Sequence, residues 1–358
     1  MIYGDALGSR ASRCQKEALA RLEPRTGTTP WTSIPYDSTN ALKTYTLNNG
    51  VKLPAIGFGT FQDKEQQESA VYAALNAGFR HIDTAKVYDT EEFIGRAIWK
   101  SGIPRRDIFL TTKLWCNDFH PDDVEPALDE ALAKLRTDYI DLFLMHYPCT
   151  FKRGVERFPK GKDGVMQMGG TTYIDTWKAM VKLVHKGKAR AIGVSNFSKG
   201  EVQNLLDHGS MVPAVHQMEL HPYLQQKSFV EWQNSKGIHM MQFSPLANQN
   251  NFYRDIYWAT GKANAPRLIE EPILKEIGAK YGKSPAQVAL VWGLMNGRSV
   301  IPKSVIDWQI KENLESDFPL DAEDMAKIGT LDKKLRFNDP SSAYNWKLYS
   351  DLEGAWST

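Results

Sequence analysis

The stretch HIDTAKVYD, residues 81–89, crowds His81, Asp83, Lys86, Tyr88 and Asp89 at the end of a short apolar run. Two later apolar runs end in related side chains: Lys113 closes IFLTTK and His146 closes IDLFLMH. An aspartate, a tyrosine, a lysine and a histidine gathered in one place make a device for protonating an oxygen. An isolated phenol titrates near pH ~10, so at neutral pH it holds its proton and is a weak acid. A cation within about 4–6 Å stabilises the phenolate and strengthens that acid. An aspartate beyond the lysine keeps the ammonium charged and oriented. A neutral histidine can donate a hydrogen bond to the oxygen that gains charge. Such a set suits hydride addition to a carbonyl, and since no side chain supplies a hydride, a cofactor is required. The plain alternative for residues 81–89 is a solvated loop.

The elements that must position these residues decide between the two. From residue 43 the chain becomes regular. YTLNNGVKL has two short runs around Asn-Asn-Gly, the pattern of a β-hairpin. Strand-like segments follow at 55–59, 81–84, 108–113, 140–146, 189–195, 214–220, 239–244 and 299–304. Helical segments separate them: 65–77, 91–100, 121–136, 172–186, 198–208, 226–236, 269–281 and 285–296. Leu128, Ala131, Leu132 and Leu135 keep the i, i+3, i+4, i+7 spacing of one helical face, as do Ile174, Trp177, Val181 and Val184. Strands alternating with helices imply a parallel sheet. GFGTFQ lacks the third glycine of an open dinucleotide-binding sheet, and no GxxxxGK[ST] is present. The expected fold is therefore an α/β (β/α)8 TIM barrel, with the hairpin as an N-terminal plug. In such a barrel the site lies at the carboxyl ends of the strands. Those ends read Thr60 and Phe61; Asp83 and Tyr88; Lys113 and Trp115; His146 and Tyr147; Ser195 and Asn196; Gln217; Phe243 and Ser244; Lys303 and Ser304. Polar groups gathered on one rim favour a site over a loop.

FRHIDTAKVYDTEEFIGRAI, FLTTKLW, DLFLMHYP, IGVSNFS, VHQMELHPY, FSPLA and IPKS stand in the order and spacing of the aldo-keto reductases, which this chain resembles from about residue 43 to 340. The resemblance implies an NAD(P)H-dependent reductase of aldehydes, aldoses or small ketones, and is most similar to fungal xylose reductase, glycerol dehydrogenase and aldehyde reductase types. It implies Tyr88 as proton donor, Lys113 as its charged neighbour, Asp83 holding Lys113, and His146 orienting the carbonyl. Lys86 and Asp89 are then expected to be loop charges. For the cofactor it implies Thr60; Ser195, Asn196 and Gln217 at the carboxamide; Phe243 stacked on the nicotinamide; and Ser244 and Leu246 at the pyrophosphate, where Ala247 replaces the usual glycine. At the adenosine end it implies Lys303, Ser304, Gln309, Glu312 and Asn313. Lys303 points to NADPH. Gln309 stands where NADPH-preferring relatives carry arginine, whose charged fork binds phosphate as glutamine cannot, and so leaves NADH or dual use open. Phe61, Trp115 and Tyr147 are expected to wall the substrate pocket. The basic segment 151–164 is expected beside that pocket, and the tail carrying Trp346, Tyr349 and Trp356 over it.

Composition narrows the alternatives. The chain has 358 residues, is 42% hydrophobic and 24% charged, and carries a net charge of +2, an ordinary globular balance with no electrostatic case for nucleic acid or a membrane surface. Cys14, Cys116 and Cys149 form neither a metal motif nor a disulfide framework, which suggests a reducing, cytoplasmic setting. No metal is expected: His216 and His221 share no face and have no third ligand. GVSNF, with Phe197 in place of glycine, fails as a nucleophile elbow. Residues 1–42 read as an extension, 43–335 as the barrel and 336–358 as the tail. The expected partner is a small carbonyl compound, and the expected state a monomer or homodimer. The rival function is a cofactor-binding regulatory or partner-binding subunit on the same barrel.

Overall fold

The computed structural model describes residues 43–247, 249 and 265–354. The expected N-terminal extension and Trp356 lie outside these residues. The chain enters as a hairpin, β1 (Thr44–Thr46) antiparallel to β2 (Lys52–Pro54), with Tyr45 opposite Leu53. A lone two-stranded hairpin is marginal in water. This one is held because Leu47 and Leu53 are buried against Phe109, Leu142, Leu144, Ala191 and Met241. It also reaches the barrel through Tyr45 Oη, which donates to the Leu294 carbonyl at 2.9 Å, and Asn48 Nδ2, which donates to the Pro213 carbonyl at 3.0 Å. The hairpin is thus the expected plug.

Eight parallel strands follow in sequential order: β3 (Phe58–Gly59), β4 (His81–Asp83), β5 (Phe109–Leu114), β6 (Ile140–Met145), β7 (Ala189–Ser195), β8 (Val215–Glu219), β9 (His239–Phe243) and β10 (Ser299–Val300). A parallel bridge from Ile56 to Val300 joins the first to the last, and Gly57 and Gly59 donate backbone bonds to Val300 O at 2.8 Å and Pro302 O at 3.0 Å. The sheet therefore closes as a (β/α)8 barrel. The last strand is shorter than the expected 299–304, because Pro302 has no N–H to continue a ladder. Lys303 and Ser304 consequently sit in a loop rather than on the strand. Gly193 lets β7 and β8 approach: a Cβ there would lie 2.2 Å from the Val215 carbonyl oxygen.

The outer helices are α1 (Gln67–Ala77), α2 (Glu91–Ser101), α3 (Pro121–Leu135), α4 (Tyr173–His185), α5 (Lys199–His208), α6 (Lys227–Ser235), α7 (Pro272–Tyr281), α8 (Pro285–Met295), α9 (Asp307–Leu314) and α10 (Ala322–Gly329). Their ends obey local rules. Ser198 and Glu201 form a capping box on α5, and Ser284 and Gln287 form one on α8. Gly102 and Gly282 take left-handed backbone just past α2 and α7. Helices α9 and α10 escape sequence reading: both are short, and α9 buries only Ile310 and Asn313. Among the described residues no helix is long and apolar enough to cross a membrane, and no three His, Cys, Asp or Glu side chains converge as a metal site.

Candidate active site

Strand alternation places the first side chains. All of β5 is buried, and successive residues face opposite sides. Thr112 points out to the helices, donating to Glu91 Oε1 at 2.7 Å. Lys113 points into the barrel, where Nζ donates to Asp83 Oδ1 at 2.6 Å and to the Thr84 carbonyl at 2.9 Å. The other Asp83 oxygen accepts from Gln217 Nε2 at 2.7 Å. Burial raises the Asp83 carboxyl pKa and lowers that of the Lys113 ammonium, while each partner's charge pulls the other back toward its ionised form. Every one of these bonds is made to a charged group, and we take the pair as ionised.

Tyr88 comes from a single 3₁₀ turn, Lys86–Tyr88, that follows β4 and ends at Asp89 in left-handed backbone. Lys113 Nζ lies 5.0 Å from the centre of the Tyr88 ring. The His146 ring stands edge-on to the same phenol, with centroids 5.6 Å apart. Burial, and to a lesser degree the Lys113 charge, holds the His146 pKa well below the usual 6.5, so the imidazole is neutral at physiological pH. Its Nδ1 is buried with no hydrogen-bond partner among the described residues. His81, also in the opening stretch, belongs elsewhere: it is buried at a barrel strand and bonds Thr111 Oγ1 at 3.0 Å.

These groups face one cavity of about 670 Å³, within the range of small-molecule sites. Asp83, Tyr88 and His146 line it, with Lys113 behind them. Phe61, Trp115 and Tyr147 line it too, as expected. The Trp115 and His146 rings are 5.3 Å apart, and Tyr147 stacks on His146 at 5.2 Å. Of the expected cofactor residues, Thr60, Ser195, Asn196, Gln217, Phe243, Ser244, Leu246 and Lys303 line the cavity. Ala247 lines it as well, with φ 54°. Alanine therefore occupies a left-handed position that suits glycine, at about 1–2 kcal/mol. Ser304, Gln309, Glu312 and Asn313 do not line the cavity. Ser304 Oγ donates to Gln309 Oε1 at 2.7 Å, and Glu312 accepts from Ser284 Oγ.

Several charges read as loop charges have structural partners. Lys86 is only 15% exposed at its side chain and pairs with Asp118 at 2.9 Å and Glu130 at 3.0 Å. Asp89 takes both arms of Arg157, and Arg153 holds Asp123. Of the basic segment, Lys160 alone lines the cavity, together with the apolar Phe158. In the tail, Asn338, Pro340, Ala343 and Tyr344 line the cavity, whereas Trp346 and Tyr349 do not, and Tyr344 is the one aromatic ring among them. Its ring stands edge-on to Trp115 and Tyr147, 5.9 and 5.1 Å away. Glu219 anchors this tail, accepting from the backbone of Phe337 at 2.7 Å and Asn338 at 2.8 Å. The aromatic density of the tail was the available sequence signal for it, but nothing in the spacing said which ring would turn inward.

Comparison with known proteins agrees with this architecture. The sequence model described as the aldo/keto reductase family matches residues 50–333. An uncharacterized oxidoreductase of Schizosaccharomyces pombe is 41% identical over 86% of this chain and 94% of its own length. Aldo-keto reductase family 1 member A1 of Gallus gallus is 42% identical over 84% of this chain and 92% of its own. The structure of the aldose reductase from Schistosoma japonicum superposes with a TM-score of 0.78 at 34% identity, covering 86% of this chain and 98% of that one. The closed barrel, the plugged floor and this level of identity lead to one conclusion: the chain belongs to the aldo/keto reductase family.

Proposed function

We propose that the protein is an NAD(P)H-dependent carbonyl reductase that converts aldehydes, aldoses or small ketones to alcohols, with Tyr88 as the proton donor. The observation that carries this reading is the buried Asp83–Lys113 pair, 2.6 Å between charged atoms, set against the ring of Tyr88 and facing neutral His146 across one cavity. The donor set also fits a nicotinamide group. Gln217 commits Nε2 to Asp83, which leaves its oxygen to accept, and Ser195 next to it has a hydroxyl to donate. Together they match the two ends of a carboxamide. The bound nicotinamide supplies the hydride.

The protein's own groups do the rest. Tyr88 gives its hydroxyl proton to the carbonyl oxygen as negative charge builds there. The phenolate left behind is stabilised by Lys113, and Asp83 and the Thr84 carbonyl keep that ammonium in place. His146, neutral, donates one N–H toward the same oxygen and fixes the face that is presented. Phe61, Trp115 and Tyr147 make the surroundings apolar, which strengthens these electrostatic terms. Phe243 offers a ring face to the nicotinamide.

NADPH is the favoured cofactor because Lys303 lines the cavity where an adenosine phosphate would need a cation. NADH is the second reading, and two observations favour it. Gln309 supplies no positive charge, and Lys303 is already paired with Asp63. A panel of aldehydes and ketones assayed with each cofactor tests both points. Turnover with NADPH is expected. Cofactor binding with no turnover on any carbonyl compound would overturn the proposal in favour of a regulatory subunit. A preference for NADH above about tenfold in kcat/KM would end the NADPH assignment.

A further inference from the structure

Asn196 sits where the chain leaves β7, buried and in left-handed backbone with φ 64°. Its Nδ2 donates to the His146 carbonyl at 3.0 Å and to Ser195 Oγ at 3.1 Å. A carbonyl oxygen only accepts, so this orientation of the amide is forced, and Oδ1 must point the other way. There it accepts from the hydroxyl of Tyr349 at 2.7 Å, a residue 153 positions later in the chain. The bond links the tail to the backbone of His146 through one side chain.

Tyr349 is held in place for this contact. It is fully buried and has φ 55°, a left-handed conformation that bulky side chains rarely adopt. Strain of this kind persists where the surroundings over-determine it. The Arg336 guanidinium lies 3.9 Å over the Tyr349 ring. Leu348 and Tyr349 pack with Met218, Leu220 and Met240. On either side of Tyr349 the tail grips the first turn of α5: Trp346 Nε1 donates to Glu201 at 2.9 Å, and Asp351 accepts from the backbone of Lys199 at 2.9 Å and Gly200 at 2.7 Å. Helix α5 begins just after Ser195 and Asn196.

We propose that Tyr349 is a positioning residue for the reaction. By holding the Asn196 amide, it fixes both the carboxamide-binding end of the site and the carbonyl of His146. The tail then serves hydride transfer itself, beyond covering the cavity. This rests on the reading of Ser195 and Asn196 as ligands of the cofactor carboxamide.

The test compares Tyr349→Phe with Asn196→Ala in the full-length protein. Binding of NADPH and NADH is read by fluorescence, together with kcat, the aldehyde KM and Tm. Tyr349→Phe removes one oxygen and keeps the ring. It is expected to weaken both cofactors alike by about tenfold and to lower kcat severalfold, with aldehyde KM and Tm little changed. In the double variant the two losses are expected not to add, because they break one network. A lower Tm with cofactor affinity and kcat intact would show mere packing and overturn the proposal. If Asn196→Ala weakens cofactor binding and Tyr349→Phe does not, the proposal fails and the carboxamide reading stands. If Asn196→Ala leaves binding unchanged, the carboxamide reading fails and the proposal with it. Should Tyr349→Phe not fold, Asp351→Ala releases the same tail at the surface. It is expected to weaken cofactor binding severalfold, and unchanged affinity there also overturns the proposal.

Discussion

At the scale of single residues, the site rests on charges that meet across the fold: Lys113 with Asp83, Lys86 with Asp118 and Glu130, and Lys303 with Asp63. Asp83, Lys113 and His146 stand out in the sequence because each comes at the end of an apolar run with a group able to carry charge or a proton, and Tyr88 because it follows Asp83 in the loop just after. Lys86 shows the limit. It sits in the same stretch and reads as a loop charge, yet Asp118 and Glu130 claim it from the segments after β5 and in α3. No local spacing encodes such a pair. Asp63 is the same kind of surprise with a functional consequence. Its carboxylate pairs with Lys303, which lines the cavity, and under the proposed function it would compete with an anionic group of the cofactor for that cation. Asp63→Asn is therefore expected to raise the ratio of kcat/KM for NADPH over NADH by about three- to tenfold, the modest size reflecting a partly exposed, solvent-screened pair. An unchanged ratio would mean that the pair does not govern cofactor choice.

At the scale of elements, strands and outer helices were legible because hydrophobic period and capping residues agree. The strands HIDT and IDLFLMH fall where the barrel places them, AIGFG keeps only Phe58–Gly59 as strand, and Ser198 and Ser284 mark helix starts by their side chains. The misses have physical causes. SVIPKS is cut short by a proline that cannot donate, and α9 and α10, eight residues each, are too short to show an apolar face over several turns. The tail has no period at all, and its placement follows from Glu219, Asn196 and the start of α5, each far away in sequence. The hairpin allows a clean separation of stability from chemistry, because it packs on the floor of the barrel and the cavity opens at the other end of the strands. Leu53 is fully buried there. Leu53→Ala is expected to cost about 2–5 kcal/mol of stability, read from urea unfolding, and to leave kcat/KM at 25 °C within about twofold. A large loss of activity in the folded variant would contradict that separation.

At the scale of the whole molecule, closing the barrel brings β4, β5, β6 and β8 together so that one tyrosine faces a charged pair and a neutral histidine. The same burial makes the protein acid-sensitive. Burial lowers His81 and His216 to about 3 and His239 to about 4, and holds His146 well below 6.5. In the unfolded chain each titrates near 6.5, so the unfolded state binds more protons as pH falls, and stability falls with it. The window opens near pH 6.5 and extends down to about 3–4, at up to about 1.4 kcal/mol per pH unit for each histidine. The buried carboxyls of Asp83, Glu91 and Glu201, raised by burial, offset part of this. Urea midpoints at pH 7, 6 and 5 are expected to decrease in that order, and a flat or rising series would contradict the neutral-histidine core. The central claim is that the assembled site reduces a carbonyl with Tyr88 as acid. Its most direct test is single-turnover reduction of an aldehyde by Tyr88→Phe at saturating cofactor. The rate is expected to fall by about 10²–10⁴ while cofactor affinity stays within about threefold. A rate within about tenfold of the parent protein would contradict it.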